Sequence, residues 1–145
     1  MKILGFNLTK VSIEKTSGIN KDVKINTKID IADISEVKSS FFKIKEEPLG
    51  VKFSYEIDYS PDFAKIEIKG VILLAVDPKV AREVLNKWKD KLIPEDFKID
   101  VFNLILKKST LKALELEEEM NLPLHMPMPM LGKPNSQQDN SNQNN

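Results

Sequence analysis

The 145-residue sequence contains no cysteine, one arginine (Arg82), one histidine (His125) and one tryptophan (Trp88). Without cysteine there can be no disulfide, no thiolate nucleophile and no Cys-based zinc site. With one arginine, bidentate forks for phosphate or guanine are scarce. Charge of one sign is missing too: Lys plus Arg is 22, Asp plus Glu is 22, and the formal net charge is zero. A whole-chain basic field for nucleic acid is therefore absent, and a nucleic-acid partner is not expected. The longest apolar run, residues 71–76, is far below a spanning length and is closed at once by Asp77-Pro78. The apolar stretch in Met1-Lys2-Ile3-Leu4-Gly5-Phe6-Asn7 is too short for a signal-peptide core, so the cytoplasm is the expected location. There is no nucleophile motif, no Gly-rich phosphate loop and no paired metal-ligand spacing. The sequence thus predicts a non-enzyme with no cofactor and no metal.

What is present is periodicity. Residues 3–14 carry Ile3, Phe6, Leu8, Val11 and Ile13 and predict a strand. After a turn at 16–20, Val23, Ile25, Thr27, Ile29 and Ile31 alternate with polar residues, which predicts a strand apolar on one face. Residues 33–50 are ambiguous between a short strand and a loop around Phe41-Phe42. Val51, Phe53, Tyr55, Ile57 and Tyr59 then alternate cleanly. Ser60-Pro61-Asp62-Phe63 has the composition of a type I turn, so a tight hairpin should follow. Its return strand carries Ile66, Ile68, Gly70, Ile72, Leu74 and Val76 on one face. Val71, Leu73 and Ala75 make the other face apolar as well. A strand apolar on both faces needs cover on both, and one layer of helices covers only one. Either another segment or a second subunit covers the remainder, or the strand end dips into the core.

Asp77-Pro78 is a helix start, with Asp as N-cap and Pro in the first turn. Val80, Ala81, Val84, Leu85 and Trp88 follow at helical spacing, which places a short helix over 78–91. A second helix starts near Pro94 and runs to Met120 or Asn121, roughly 40 Å at the standard rise. Its apolar residues fall on two stripes: Phe97, Val101, Leu104, Ile105 and Leu111, and Ile99, Phe102, Leu106, Ala113 and Leu116. Two stripes again ask for two partners. Glu115, Glu117, Glu118 and Glu119 oppose the helix dipole, which predicts a frayed end with its carboxylates in solvent. The alternating prolines of residues 122–131 then forbid helix and favour an extended strip. The division predicted is a core domain over 1–121, a Pro/Met-rich strip over 122–132 and a disordered polar tail over 133–145.

Two groups of residues are candidate binding elements. Phe41, Phe42, Leu49, Phe53, Tyr55 and Tyr59 lie along the sheet, where they either line a groove for extended peptide or fill the core. Leu122, Leu124, Met126, Met128 and Met130 form an apolar strip beside His125. Thioether and imidazole suit a soft metal, but the plainer reading is an apolar strip that packs on the core or on a partner. Lys107, Lys108 and Lys112 read as a solvated helix face.

The order of these pieces resembles the SecB export chaperone family. Strands at 23–27, 51–59 and 64–76 precede helices at 78–91 and 95–121, and an apolar-Pro segment follows at 122–131, where that family also has one. The resemblance covers about the first 131 residues. It implies an α+β fold in which a four-stranded antiparallel sheet is followed by a short and a long helix packed on one face. It also implies a homo-oligomer, dimer or tetramer, and a groove that holds non-native polypeptide without ATP. The alternative is a non-enzymatic interaction subunit of a larger assembly, such as a ribosome-associated protein, anchored by residues 122–131.

Overall fold

The computed structural model describes residues 1–16, 22–38 and 47–132. It contains β1 (Lys2–Lys15), β2 (Lys24–Glu36), β3 (Glu47–Ser60), β4 (Ala64–Val76), α1 (Pro78–Trp88) and α2 (Glu95–Glu119). The strands form one antiparallel sheet in the order β1-β4-β3-β2. The predicted elements are all present. β2 runs further than its alternation suggests, because the register shifts between Ile31 and Asp33 and the extra residue, Ala32, breaks the period of two.

β3 and β4 are interior, and their alternation decides the core. Leu49, Val51, Phe53, Tyr55, Ile57 and Tyr59 of β3 and Ile66, Ile68, Ile72 and Leu74 of β4 are buried beneath the helices. Gly70 occupies the same face for a steric reason. A Cβ there would lie 2.6 Å from the Asn7 carbonyl oxygen and 2.8 Å from the Phe53 ring. Only glycine lets Phe53 lie across the strand, with its ring centroid 5.2 Å from that of Phe6.

The β3–β4 hairpin forms, but not through a type I turn. That turn needs a negative φ at its third position, whereas Asp62 has φ 45° and the Ser60–Pro61 peptide is cis. The loop is closed by the Phe63 N–H donating to the Tyr59 carbonyl at 3.0 Å.

α1 starts as its sequence dictates: Asp77 accepts from the Lys79 N–H at 2.9 Å, with Pro78 in the first turn. α2 departs from the two-stripe expectation. Phe97, Val101, Ile105, Ser109, Ala113 and Glu117 are all buried, at strict four-residue spacing. Such a row winds around a 3.6-residue helix, so the line of contact with the sheet passes from the first stripe to the second. Leu111, assigned to the first stripe, is 64% exposed, while Ala113 and Leu116 enter the core. Nor does α2 fray. Asn121 takes a left-handed φ of 53°, and the Leu122 N–H reaches back to the Glu117 carbonyl at 2.8 Å, a Schellman-type closure.

The sheet face away from the helices is divided. Towards one end Glu67 sits between Lys10 and Lys69, which hold its carboxyl below the usual range. Towards the other lie Gly5, Gly50, Val71, Leu73 and Ala75, with the Val37 side chain over Gly50. Val71 and Leu73 are half-buried and Ala75 is buried, as the two-faced apolar pattern of β4 requires.

Candidate functional site

Two local arrangements stand out from this frame. The first is at the open edge of the sheet. Among the described residues β2 pairs only with β3, as β1 at the other edge pairs only with β4. Ile29 and Ile31 point toward the helices and meet Trp88, Ile93 and Phe102 in a groove of about 540 Å³. Trp88 is fixed by its indole N–H, which donates to the Asp33 carboxylate at 3.2 Å. The bulge at Ala32 sits immediately before this acceptor. Lys91 places its ammonium 4.5 Å from the Trp88 ring centroid, and Lys98 lies 5.6 Å from that of Phe102. A larger hollow, of about 610 Å³, lies at the hairpin end between Lys15 and Asp62. Five of its eight lining residues are charged, although more of its surface is apolar than polar.

The second arrangement is a buried polar clasp. Glu117 is 0% exposed. One of its oxygens accepts from the Tyr59 hydroxyl and from the His125 backbone N–H at 2.9 Å. The other is 2.6 Å from His125 Nδ1. His125 Nε2 is 2.9 Å from the Tyr55 hydroxyl, which also hydrogen-bonds Thr110. The Tyr59 hydroxyl lies 2.9 Å from the Pro123 carbonyl oxygen as well. One carboxylate thereby ties the end of α2 and the first residues after it to the central strand. Burial, then the neighbouring carboxylate, pushes the Tyr59 hydroxyl well above its usual range. Burial chiefly raises Tyr55 too, the Glu117 charge adding and the Thr110 hydrogen bond opposing.

The structure relocates much of the sequence-predicted site. Leu49, Phe53, Tyr55 and Tyr59 are buried, so the expectation that they line an exposed groove is corrected: odd positions of β3 face the helices and form the core. Phe41 and Phe42 lie outside the described residues. Leu122 is buried and Leu124 half-buried against the chain's own core, whereas Met126, Met128 and Met130 are exposed, the last at 90%. The strip therefore has a docked beginning and an exposed remainder. Glu117, expected in solvent, is at the centre of the clasp. Sequence reasoning missed the edge groove. Its available signal was the sole tryptophan followed by Ile93 and Phe102, three bulky side chains across the α1–α2 connection.

Among solved structures the chain is similar to the Mycobacterium tuberculosis Rv1957 SecB-like chaperone, determined in complex with a ChAD peptide from the Rv1956 HigA1 antitoxin. The match has a TM-score of 0.58 and 11% sequence identity, covering 90% of this chain and 89% of that one. The fold is thus SecB-like: an α+β chain with a four-stranded antiparallel sheet and two helices. No family model matches the sequence, and no curated protein does. Among the described residues no helix is long and apolar enough to cross a membrane.

Proposed function

We propose that this chain is an ATP-independent, SecB-like holdase that binds non-native polypeptide. The observation that carries the reading is the groove at the β2 edge, where Ile29, Ile31, Trp88, Ile93 and Phe102, set in a surface more polar than apolar, adjoin strand backbone that no described strand pairs. That combination takes an extended chain through main-chain hydrogen bonds and alternate side chains. The SecB-like fold supports it, since the similar mycobacterial protein is a chaperone with a bound peptide. Binding needs no cofactor, and no catalytic step is invoked. A dimer or tetramer is part of the proposal, as is a contribution from Phe41 and Phe42.

The full-length protein is expected to suppress aggregation of a heat-denatured client at stoichiometric ratios without ATP. The Phe41→Asp/Phe42→Asp variant should suppress it at least severalfold less well. Unimpeded aggregation with the wild-type chain, read by light scattering, would overturn the holdase. Equal protection by both proteins would remove Phe41 and Phe42 from the site.

A second reading has its own observation: Met126, Met128 and Met130 project from a strip whose beginning is clamped. Adaptable thioether side chains on an extended segment suit an apolar slot on a larger particle. The reading predicts that the chain sediments with a large complex from cell extract. Replacing the three methionines by serine leaves the clasp intact and should release it. Sedimentation unaffected by that change would count against the anchor.

A further inference from the structure

The groove at the β2 edge is more polar than apolar, and its apolar side chains do not account for its charge. Its rim carries Lys91 and Lys98, and among the described residues neither forms an ion pair. Each instead rests near an aromatic face, Lys91 on Trp88 and Lys98 on Phe102. The acidic residues nearby do not neutralise them. Asp33 accepts from the Trp88 indole. Asp30 borders the groove beside Ile29 and Ile31, but among the described residues it pairs with neither lysine. An ammonium on an aromatic ring is held by an attraction that a carboxylate exceeds, so both lysines are poised to take one.

The edge also limits what can pair with it. Its register with β3 is unbroken only over residues 24–31, and the bulge at Ala32 then bends the strand. Such a bulge, with Lys24 and Lys28 on the same stretch, obstructs sheet-to-sheet continuation by a second copy. A short extended segment is not obstructed. It needs only a few main-chain bonds and places every second side chain over Ile29, Ile31 and Phe102.

We infer that this groove selects extended client segments whose apolar residues are flanked by Asp or Glu, with Lys91 and Lys98 as the selecting groups. The inference rests on the holdase reading and adds a substrate class to it. Each lysine-carboxylate contact is worth a small factor at a solvent-facing rim. Two such contacts, set against two repulsions for a basic flank, give about a tenfold preference of acidic over basic flanks. The preference should shrink as salt rises.

The test uses the full-length chain and three dye-labelled peptides with one alternating apolar centre, flanked by Asp/Glu, by Ser or by Lys. Trp88, the only tryptophan, lies in the groove and reports occupancy through its own emission. The acid-flanked peptide is expected to bind about tenfold tighter than the Lys-flanked one and to shift Trp88 emission. In Lys91→Gln/Lys98→Gln the three affinities should converge to within about twofold. Equal affinities in the wild-type chain, an order that survives in the double variant, or no change in Trp88 emission at saturation would each overturn the inference. So would peptide binding that merely competes with self-association, which would make a second copy the occupant. If clients are protected from aggregation but flank charge is ignored, only the selectivity fails. If no peptide binds and no client is protected, the holdase reading fails with it.

Discussion

Replacing Glu117 by alanine is expected to cost about 3–5 kcal/mol of folding free energy, the range for removing one partner of a buried charged network. The loss does not come from the carboxylate alone. Its removal leaves the His125 N–H and the His125 ring without their buried partner, and leaves the Tyr59 hydroxyl only the Pro123 carbonyl. The same change leaves residues 122–125 tied to the sheet only through the Tyr59–Pro123 and Tyr55–His125 contacts, which weakens the hold on Leu122 in the core. Against a typical total of about 5–15 kcal/mol, the variant stands close to unfolding. Glu117→Gln should be milder, since the amide oxygen still accepts but its NH2 faces donors. Tyr59→Phe removes one donor and should cost about 1 kcal/mol. Because these residues share one network, Glu117→Ala and Tyr59→Phe should combine to less than their sum. Urea unfolding of the full-length variants measures all of this. A midpoint shift equivalent to less than about 1 kcal/mol for Glu117→Ala would mean that water enters the site and the clasp does not hold the strip.

The clasp also shows where sequence reading reaches its limit. A strand buried on one face repeats every two residues, and β3 follows that rule from Val51 to Tyr59 and β4 from Ala64 to Leu74. A helix start needs only neighbouring residues, and Asp77-Pro78 announces α1. Both features are local. The bulge at Ala32 is local in geometry but erases the periodic signal that would have carried β2 on to Glu36. The buried row on α2 was hidden by its own spacing, because a four-residue step scatters the core positions over two helical stripes. Glu117 stands in a run of glutamates that all look solvated. What distinguishes it from Glu118 and Glu119 is the arrival of Tyr59, 58 residues away, and of His125, eight residues on.

The edge groove has the same origin. Ile29 and Ile31 come from one edge strand, Trp88 from α1 and Phe102 from α2, and no pattern along the chain joins them. The aromatic residues that alternate most visibly, Phe53, Tyr55 and Tyr59, are therefore core, and a less periodic set borders the surface. An apolar residue's place in the alternation marks its face of the sheet, but the helices decide whether that face is covered. Here they cover β3 and leave the β2 margin open.

The two tyrosines of the clasp are the only tyrosines in the chain, so tyrosinate absorbance reports on this site and nothing else. Both are held protonated in the folded state, chiefly by burial, with Glu117 adding to it. In the unfolded chain they ionise near 10. Above that pH the unfolded state binds fewer protons than the native one, so stability falls as pH rises. Below about 10 the contribution is fully present. Through the window from 10 up to the raised native values, the fall approaches about 1.4 kcal/mol per pH unit for each tyrosine. Tyr59, whose hydroxyl is raised the further of the two, contributes most of this loss, which weakens the fold at alkaline pH. The expected titration is flat through the range where free tyrosine ionises. It then rises in one cooperative step that coincides with loss of the native circular dichroism. Tyr59→Phe should halve the amplitude and move the step to higher pH, because one source of the alkaline instability has gone. A gradual rise centred near 10 in a chain that keeps its native circular dichroism would show both hydroxyls open to solvent, and the clasp would have to be abandoned.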